Sequence, residues 1–485
     1  MMQSGRRAGP RAGPGGERRT GRRGEPQMRA PRLVLALAAL LVVAAAGASL
    51  RPAPAAAGAP AAITAALEKN GVAGPGTGVY VWDLDAARRV YARAATTPLT
   101  PASNLKLATA AAALVYWGPE HRFTTELYVP NVPVYQGVLY GDVYLKGYGD
   151  PSLSTRAYQR GALHLKTASF ERFARRLRGL GVRQVRGRIL GDESWFDRRR
   201  TVAAWKPGLE DECGRLSALT GNESLQEDKR VAAPATHAAR LLGRALKAVG
   251  IKVSGRPGTG RVPAGARLLA AQRSAPLGEL LQHMNKASDN FFAETLLKGL
   301  GRDFYGVGST ESGAQLTAAT LAAAGLAAGS YRVLDGSGLS YDDRLTATGL
   351  VQLLGALRQR DDFRTLYDSL AVAGQDGTLR ERLRGSPAEG NAHAKTGSLN
   401  IAACLAGYVT SANGHRVAFA ILVNGDPADY GAATGAQDAI VAALARAELP
   451  GDPVIRVTPM QRQNAVSAFE AVHPVGRSLQ PCVQP

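Results

Sequence analysis

The chain has 485 residues, 45% of them apolar and 20% charged, a size beyond what one hydrophobic core usually supports and a composition that excludes wholesale disorder. Its formal charge is +20; the leader supplies +7, from nine arginines between Arg6 and Arg32 against Glu17 and Glu25. The remaining +13 reads as spread along the chain without the Lys/Arg block of a nucleic-acid arm, so no nucleic-acid partner is expected; a weakly basic surface suits an anionic polymer or a membrane face.

Residues 1–60 read as an export segment and linker. An apolar run at 33–50 follows arginines and precedes the small-residue stretch RPAPAAAGAPAA, the order of a signal peptide, and Met28 is a plausible start. The mature chain is therefore expected outside the cytoplasm, in a periplasm or cell wall. Left uncleaved, a run of this length also suffices as a membrane anchor.

Folded structure is expected from about Ala61. Residues 79–94 alternate like a strand hairpin, and 102–117 form a helix pattern with Leu107, Ala111, Leu114 and Val115 on one face. Between 122 and 265 short strands alternate with helical stretches near 169–180 and 236–249, which predicts an inserted β-rich domain. Helical patterning returns at 277–301, 312–325 and 346–359. Strands follow near 392–397, 401–409 and 415–424, then a helix at 433–447. This is an α+β layout with the main domain built from 61–121 and 266–450. Residues 451–485 lack periodicity and read as a tail.

Three short segments carry chemistry. In Ser103-Asn104-Leu105-Lys106, at a helix start, Ser103 and Lys106 share a face, so a desolvated lysine amine can take the hydroxyl proton. Alone the pair is weak, since Ser-x-x-Lys is expected about half a time by chance in this composition. Ser288-Asp289-Asn290 lies between helical stretches. There Ser288 can relay a proton to a leaving amine, while Asn290 holds a substrate carbonyl or orients Lys106. Lys395-Thr396-Gly397-Ser398 enters a strand: Lys395 offers a cation, Gly397 a bare backbone beside which a substrate can pair, and the Ser398 and Ser103 amides can form an oxyanion hole.

In this order the three segments resemble the serine-enzyme set of penicillin-binding proteins and class A β-lactamases. The chain resembles the D-Ala-D-Ala carboxypeptidase/endopeptidase family of low-molecular-weight penicillin-binding proteins, the S13 peptidases, over roughly 76–425. PASNLKLATAAAAL, LKGYGDPSL, CGRLSALTGNESL, KASDNFFAETLL, DGSGLS and KTGSLNIAACLAGYV carry the resemblance in family order. It implies a penicillin-binding transpeptidase/β-lactamase-like catalytic domain with an inserted domain, acylation of Ser103 by peptidoglycan stem peptides or β-lactam inhibitors, and a terminal carboxylate received by Lys395, Thr396 and Ser398. The chain departs from many members after Asn222-Glu223, reaching the next helix within about a dozen residues, so a third, nested domain is not expected.

Other features carry less. His393 has no Gly-x-Ser-x-Gly elbow and reads as structural or solvent-facing; Asp335 reads as a loop-shaping residue; Trp195 and Phe196 read as anchors. The seven histidines show no ligand spacing, so no metal and no cofactor is expected. The turn around Gly306, Gly308 and Gly313 follows no strand, so it is not read as a phosphate loop. Cys213, Cys404 and Cys482 form no disulfide framework, with Cys404 a buried apolar filler and one bridge through Cys213 or Cys482 left open. A β-lactamase and a catalytically silent wall-binding protein are the alternative readings. The first lacks a separate deacylating Glu-x-x-Leu-Asn element, and the second sits poorly with intact Ser103, Lys106, Ser288 and Lys395.

Overall fold

The computed structural model describes residues 58–451 except residue 228. The export segment, Cys482 and the C-terminal tail lie outside them. Among the described residues no helix is long and apolar enough to cross a membrane.

A six-stranded antiparallel sheet organises the part that carries the three motifs. Its strand order is Ala371–Val372, His393–Leu399, Ala402–Thr410, Arg416–Asn424, Thr77–Asp83 and Arg88–Arg93. Ala402–Thr410 and Arg416–Asn424 are apolar almost throughout because both faces of the sheet are covered. One face, through Ala403, Leu405, Phe419 and Ile421, packs on the helices Ala59–Lys69 and Tyr430–Arg446. The other, through Ala402, Cys404, Ala406, Ala418, Ala420 and Leu422, packs on a helical layer that includes Lys106–Trp117, Leu277–Lys286 and Ala347–Arg358.

The helix Lys106–Trp117 is buried all round from Lys106 to Leu114, not along one stripe. Its run of alanines explains this: a slim rod can be surrounded by the sheet and by neighbouring helices at close range. A 3₁₀ turn, Ala102–Leu105, precedes it.

Residues between Thr124 and Arg273 build two further sheets around their own apolar cluster. The five-stranded sheet runs Gly258–Thr259, Ile189–Asp192, Val143–Gly147, Thr124–Val129, Arg267–Arg273, and the three-stranded one Lys252–Val253, Gln184–Arg186, Val138–Tyr140. Many of these pairs are parallel, because the helices Phe170–Gly179 and Pro234–Ala248 carry the chain between strands. The strand Arg267–Arg273 pairs with Thr124–Val129, so this sheet extends past residue 265. After Asn222 the chain forms a two-residue hairpin, Leu225–Gln226 with Lys229–Arg230, and enters the Pro234–Ala248 helix.

Candidate active site

The 3₁₀ turn brings Ser103 to the head of the buried helix, with Ala102 before it in the left-handed region at φ 48°. Non-glycine residues there are uncommon and concentrate at functional sites. Lys106 is fully buried. Its Nζ lies 2.9 Å from Ser103 Oγ and donates to Asn290 Oδ1 and to the Ser337 carbonyl, both at 2.7 Å. Burial lowers the Lys106 pKa to about 8, against the opposing pull of Asp335, Glu294 and Asp289.

Ser288 and Asn290 reach the site from the break between the helices Leu277–Lys286 and Asn290–Tyr305. Asp289 caps the second helix, accepting from the Phe292 amide at 2.8 Å, while Ser288 sits at φ 59°. The Asn290 amide accepts from Lys106 at Oδ1, while Nδ2 donates one hydrogen to the Glu212 carbonyl at 2.9 Å and keeps a second. The geometry therefore places it to orient Lys106 and leaves a donor for a substrate carbonyl.

Lys395 is also fully buried and donates to Ser288 Oγ at 2.8 Å and to the Thr396 carbonyl at 2.9 Å. Burial, then the charge of Lys106, holds its pKa well below the ordinary lysine range. Thr396 is hydrogen-bonded to Thr378 between hydroxyls at 2.8 Å, and Ser398 is exposed. Gly397 has a steric reason besides the substrate pairing expected of it. A Cβ there would stand 2.7 Å from the Pro101 carbonyl and 3.1 Å from the Ser103 amide, so the missing side chain admits the Ser103 turn. A partner strand, Ala371–Val372, covers His393 and Ala394, and among the described residues the edge from Lys395 to Leu399 has no neighbouring strand on that side.

The sequence reading left several supporting groups without a role. Asn104 ties the motifs together in the amide orientation that its neighbours' hydrogen bonding requires, donating to the Lys395 carbonyl at 2.8 Å and accepting from the Ala406 amide at 3.3 Å. The Ser337 carbonyl belongs to the Asp-Gly-Ser-Gly loop, which Asp335 folds by accepting from the Gly338 and Ser340 amides and from Trp205 Nε1. Glu294, fully buried, accepts from the Gly336 and Ser337 amides at 3.0 and 2.8 Å; burial and then Asp335 raise its pKa to about 8. A charged residue inside the apolar run FFAETLL was the available signal for it.

The remaining candidates lie outside the site's contacts or serve packing. His393 stacks on Tyr367 with centroids 4.0 Å apart. Among the described residues Cys213 and Cys404 are free and buried, and burial raises both thiols, so neither is a ready nucleophile. Glu223, His283 and Asp289 bring potential ligand atoms within 4.8 Å of one another, but Asp289 is hydrogen-bonded to His283 and to Glu223.

A family model described as D-Ala-D-Ala carboxypeptidase 3 (S13) matches residues 59–218 and 214–447, nearly all of the described chain. The chain belongs to that family. The peptidase is 32% identical over 467 residues to a D-alanyl-D-alanine carboxypeptidase of Actinomadura sp. (strain R39), covering 79% of this chain and 84% of the relative. It is 30% identical over 389 residues to carboxypeptidase DacB of Mycolicibacterium smegmatis, covering 77% and 81%. In fold it is similar to penicillin binding protein 4 of Haemophilus influenzae, with a TM-score of 0.66 at 22% identity over 77% of this chain and 98% of that one. The peptidase is thus a serine D,D-peptidase with a penicillin-binding α+β fold.

Proposed function

We propose that the peptidase removes the terminal D-Ala from peptidoglycan stem peptides through an acyl-enzyme on Ser103, with Lys106 as its base. The observation that carries this reading is the hydrogen bonding of Lys106. Two of its partners, Asn290 Oδ1 and the Ser337 carbonyl, can only accept, so a neutral amine spends its two hydrogens on them and points its lone pair at Ser103 Oγ. A pKa of about 8 keeps that neutral form within reach near neutral pH.

Ser103 Oγ attacks the penultimate carbonyl while its proton passes to Lys106, and the Ser103 and Ser398 amides receive the oxyanion. Ser288 carries a proton to the departing D-Ala nitrogen, the C–N bond breaks, and water later releases the stem from Ser103. A substrate carboxylate held by Lys395, Thr396 and Ser398 stabilises the Lys395 ammonium, which burial and the neighbouring Lys106 otherwise disfavour. The relative from Haemophilus influenzae has been crystallised with a β-lactam, which supports the same Ser103 being acylated by penicillin here. The arginine-flanked apolar leader supports an extracytoplasmic site of action.

Labelled penicillin should form an adduct that maps to Ser103 and is absent from Ser103→Ala; an adduct that persists in that variant refutes the assignment. Mass spectrometry of purified wall peptides should show free D-Ala, whereas split cross-links without free D-Ala would mean endopeptidase action.

A further inference from the structure

The surplus positive charge is not spread as the sequence suggested. Residues 122–273 hold 27 Lys and Arg against 13 Asp and Glu, a surplus of 14, so everything else after the arginine-rich leader sums to near neutrality. This basic segment contributes none of the motif residues around Ser103.

Within it, Arg156, Arg160, His164, Lys166 and Arg172 line a groove of about 660 Å³ together with Thr167 and Ser169. A second groove of about 480 Å³ shares Arg172 with it and adds Arg176. Arg156, Arg160, Lys166, Arg172 and Arg176 are without an ion-pair partner among the described residues. The nearby Glu171 carboxylate is engaged by the Arg156 backbone amide at 3.0 Å. The Phe170–Gly179 helix begins at the groove, capped by Ser169, and its N-terminal dipole adds to the positive potential.

We infer that these joined grooves bind a wall glycopolymer bearing phosphodiester groups, holding the peptidase on the polymer network that contains its substrate. The inference rests on the functional reading above for the place of action, not for the binding chemistry. Four of the five unpaired cations are arginines, whose planar forks match phosphate oxygens. Concavity favours a strand lying in a channel over a flat bilayer, and the repeat of cations from Arg156 to Arg176 favours a polymer over a single anion.

The test uses the full chain, with synthetic poly(glycerol phosphate) as probe and polyglutamate, duplex DNA and phosphatidylglycerol vesicles as comparisons. Arg156→Gln/Arg160→Gln/Arg172→Gln removes three contacts. At ~0.7 in salt slope per phosphate contact, the slope of log affinity against log salt should flatten by about 2, and affinity at 0.1 M salt should fall about 100-fold. Hydrolysis of a soluble D-Ala-D-Ala peptide should be unchanged, which shows that the variant is folded and keeps a failed polymer result separate from a failed peptidase assignment. Should the variant be misfolded, the salt slope of the unaltered protein decides: a slope near zero overturns the proposal. Unaltered polymer affinity in a folded variant overturns it, as does tighter binding to polyglutamate, DNA or vesicles than to poly(glycerol phosphate).

Discussion

Gly397→Ala tests the closeness of the strand to the Ser103 turn. The added Cβ would lie 2.7 Å from the Pro101 carbonyl oxygen and 3.2 Å from Ala102 Cβ, where ordinary contact begins at 3.4 Å. Backbone cannot swing aside as a side-chain end does, so strand and turn must part by about 0.7 Å at the Pro101 contact. Overpacking of this kind costs ~1–3 kcal/mol, and a misplacement approaching 1 Å in a catalytic arrangement can cost about 100-fold in rate. The expected outcome is a 10- to 100-fold slower acylation by fluorescent penicillin, on the order of that misplacement cost, with a melting temperature lower by a few degrees. Gly74→Ala, where nothing lies within 4 Å of the new atom, is the control. Acylation and melting both equal to the unaltered enzyme would refute the steric reasoning.

Asp335→Asn removes the negative charge that most opposes the lowering of the Lys106 pKa, so the pH at which acylation rises should move down from about 8. Asn keeps only one acceptor oxygen, so the variant leaves either the Gly338 amide or the Ser340 amide and Trp205 indole unmatched, at ~1–3 kcal/mol for each buried group, and its maximal rate and melting temperature should fall. An upward shift in the rate profile would contradict the electrostatic part. Asn104→Leu cuts the tie to Lys395 and Ala406 and should slow acylation while Ser103 and Lys106 stay intact; an unchanged rate contradicts it. Thr396→Val should raise KM for the peptide more than it lowers kcat, and the reverse pattern argues against a carboxylate contact. His237 is buried, and burial followed by Arg240 and Arg244 lowers its pKa to about 4. The unfolded chain therefore binds more protons between about pH 6.5 and 4, stability should fall as pH drops through that window, and His237→Leu should flatten the decline. Parallel melting curves against pH would reject this.

Much of the architecture was legible from periodicity. The last three long strands and the helix pair around Ser288 have apolar patterns long enough to reveal their type. The segment from 124 to 273 was harder, because two- and three-residue strands paired in parallel depend on distant partners and leave no alternation of their own. At the site, Ser103, Lys106, Ser288, Asn290 and Lys395 are visible as short motifs. The Ser337 carbonyl and the amide of Asn104 are not, because a main-chain oxygen has no residue type and an asparagine between Ser103 and Lys106 looks like spacing. The location of the positive charge was written in the sequence too, but it emerges only when counted over the segment that folds as one piece.

The sheet is sealed by helices above and below, and the unpartnered rim from Lys395 to Leu399 is the approach that lies beside Ser103. Its main-chain groups are open to a further strand, so a peptide laid there in extended form would be measured against the sheet's own spacing. Stem analogues with a reduced or N-methylated amide at alternate positions should therefore bind in an on-off pattern of period two.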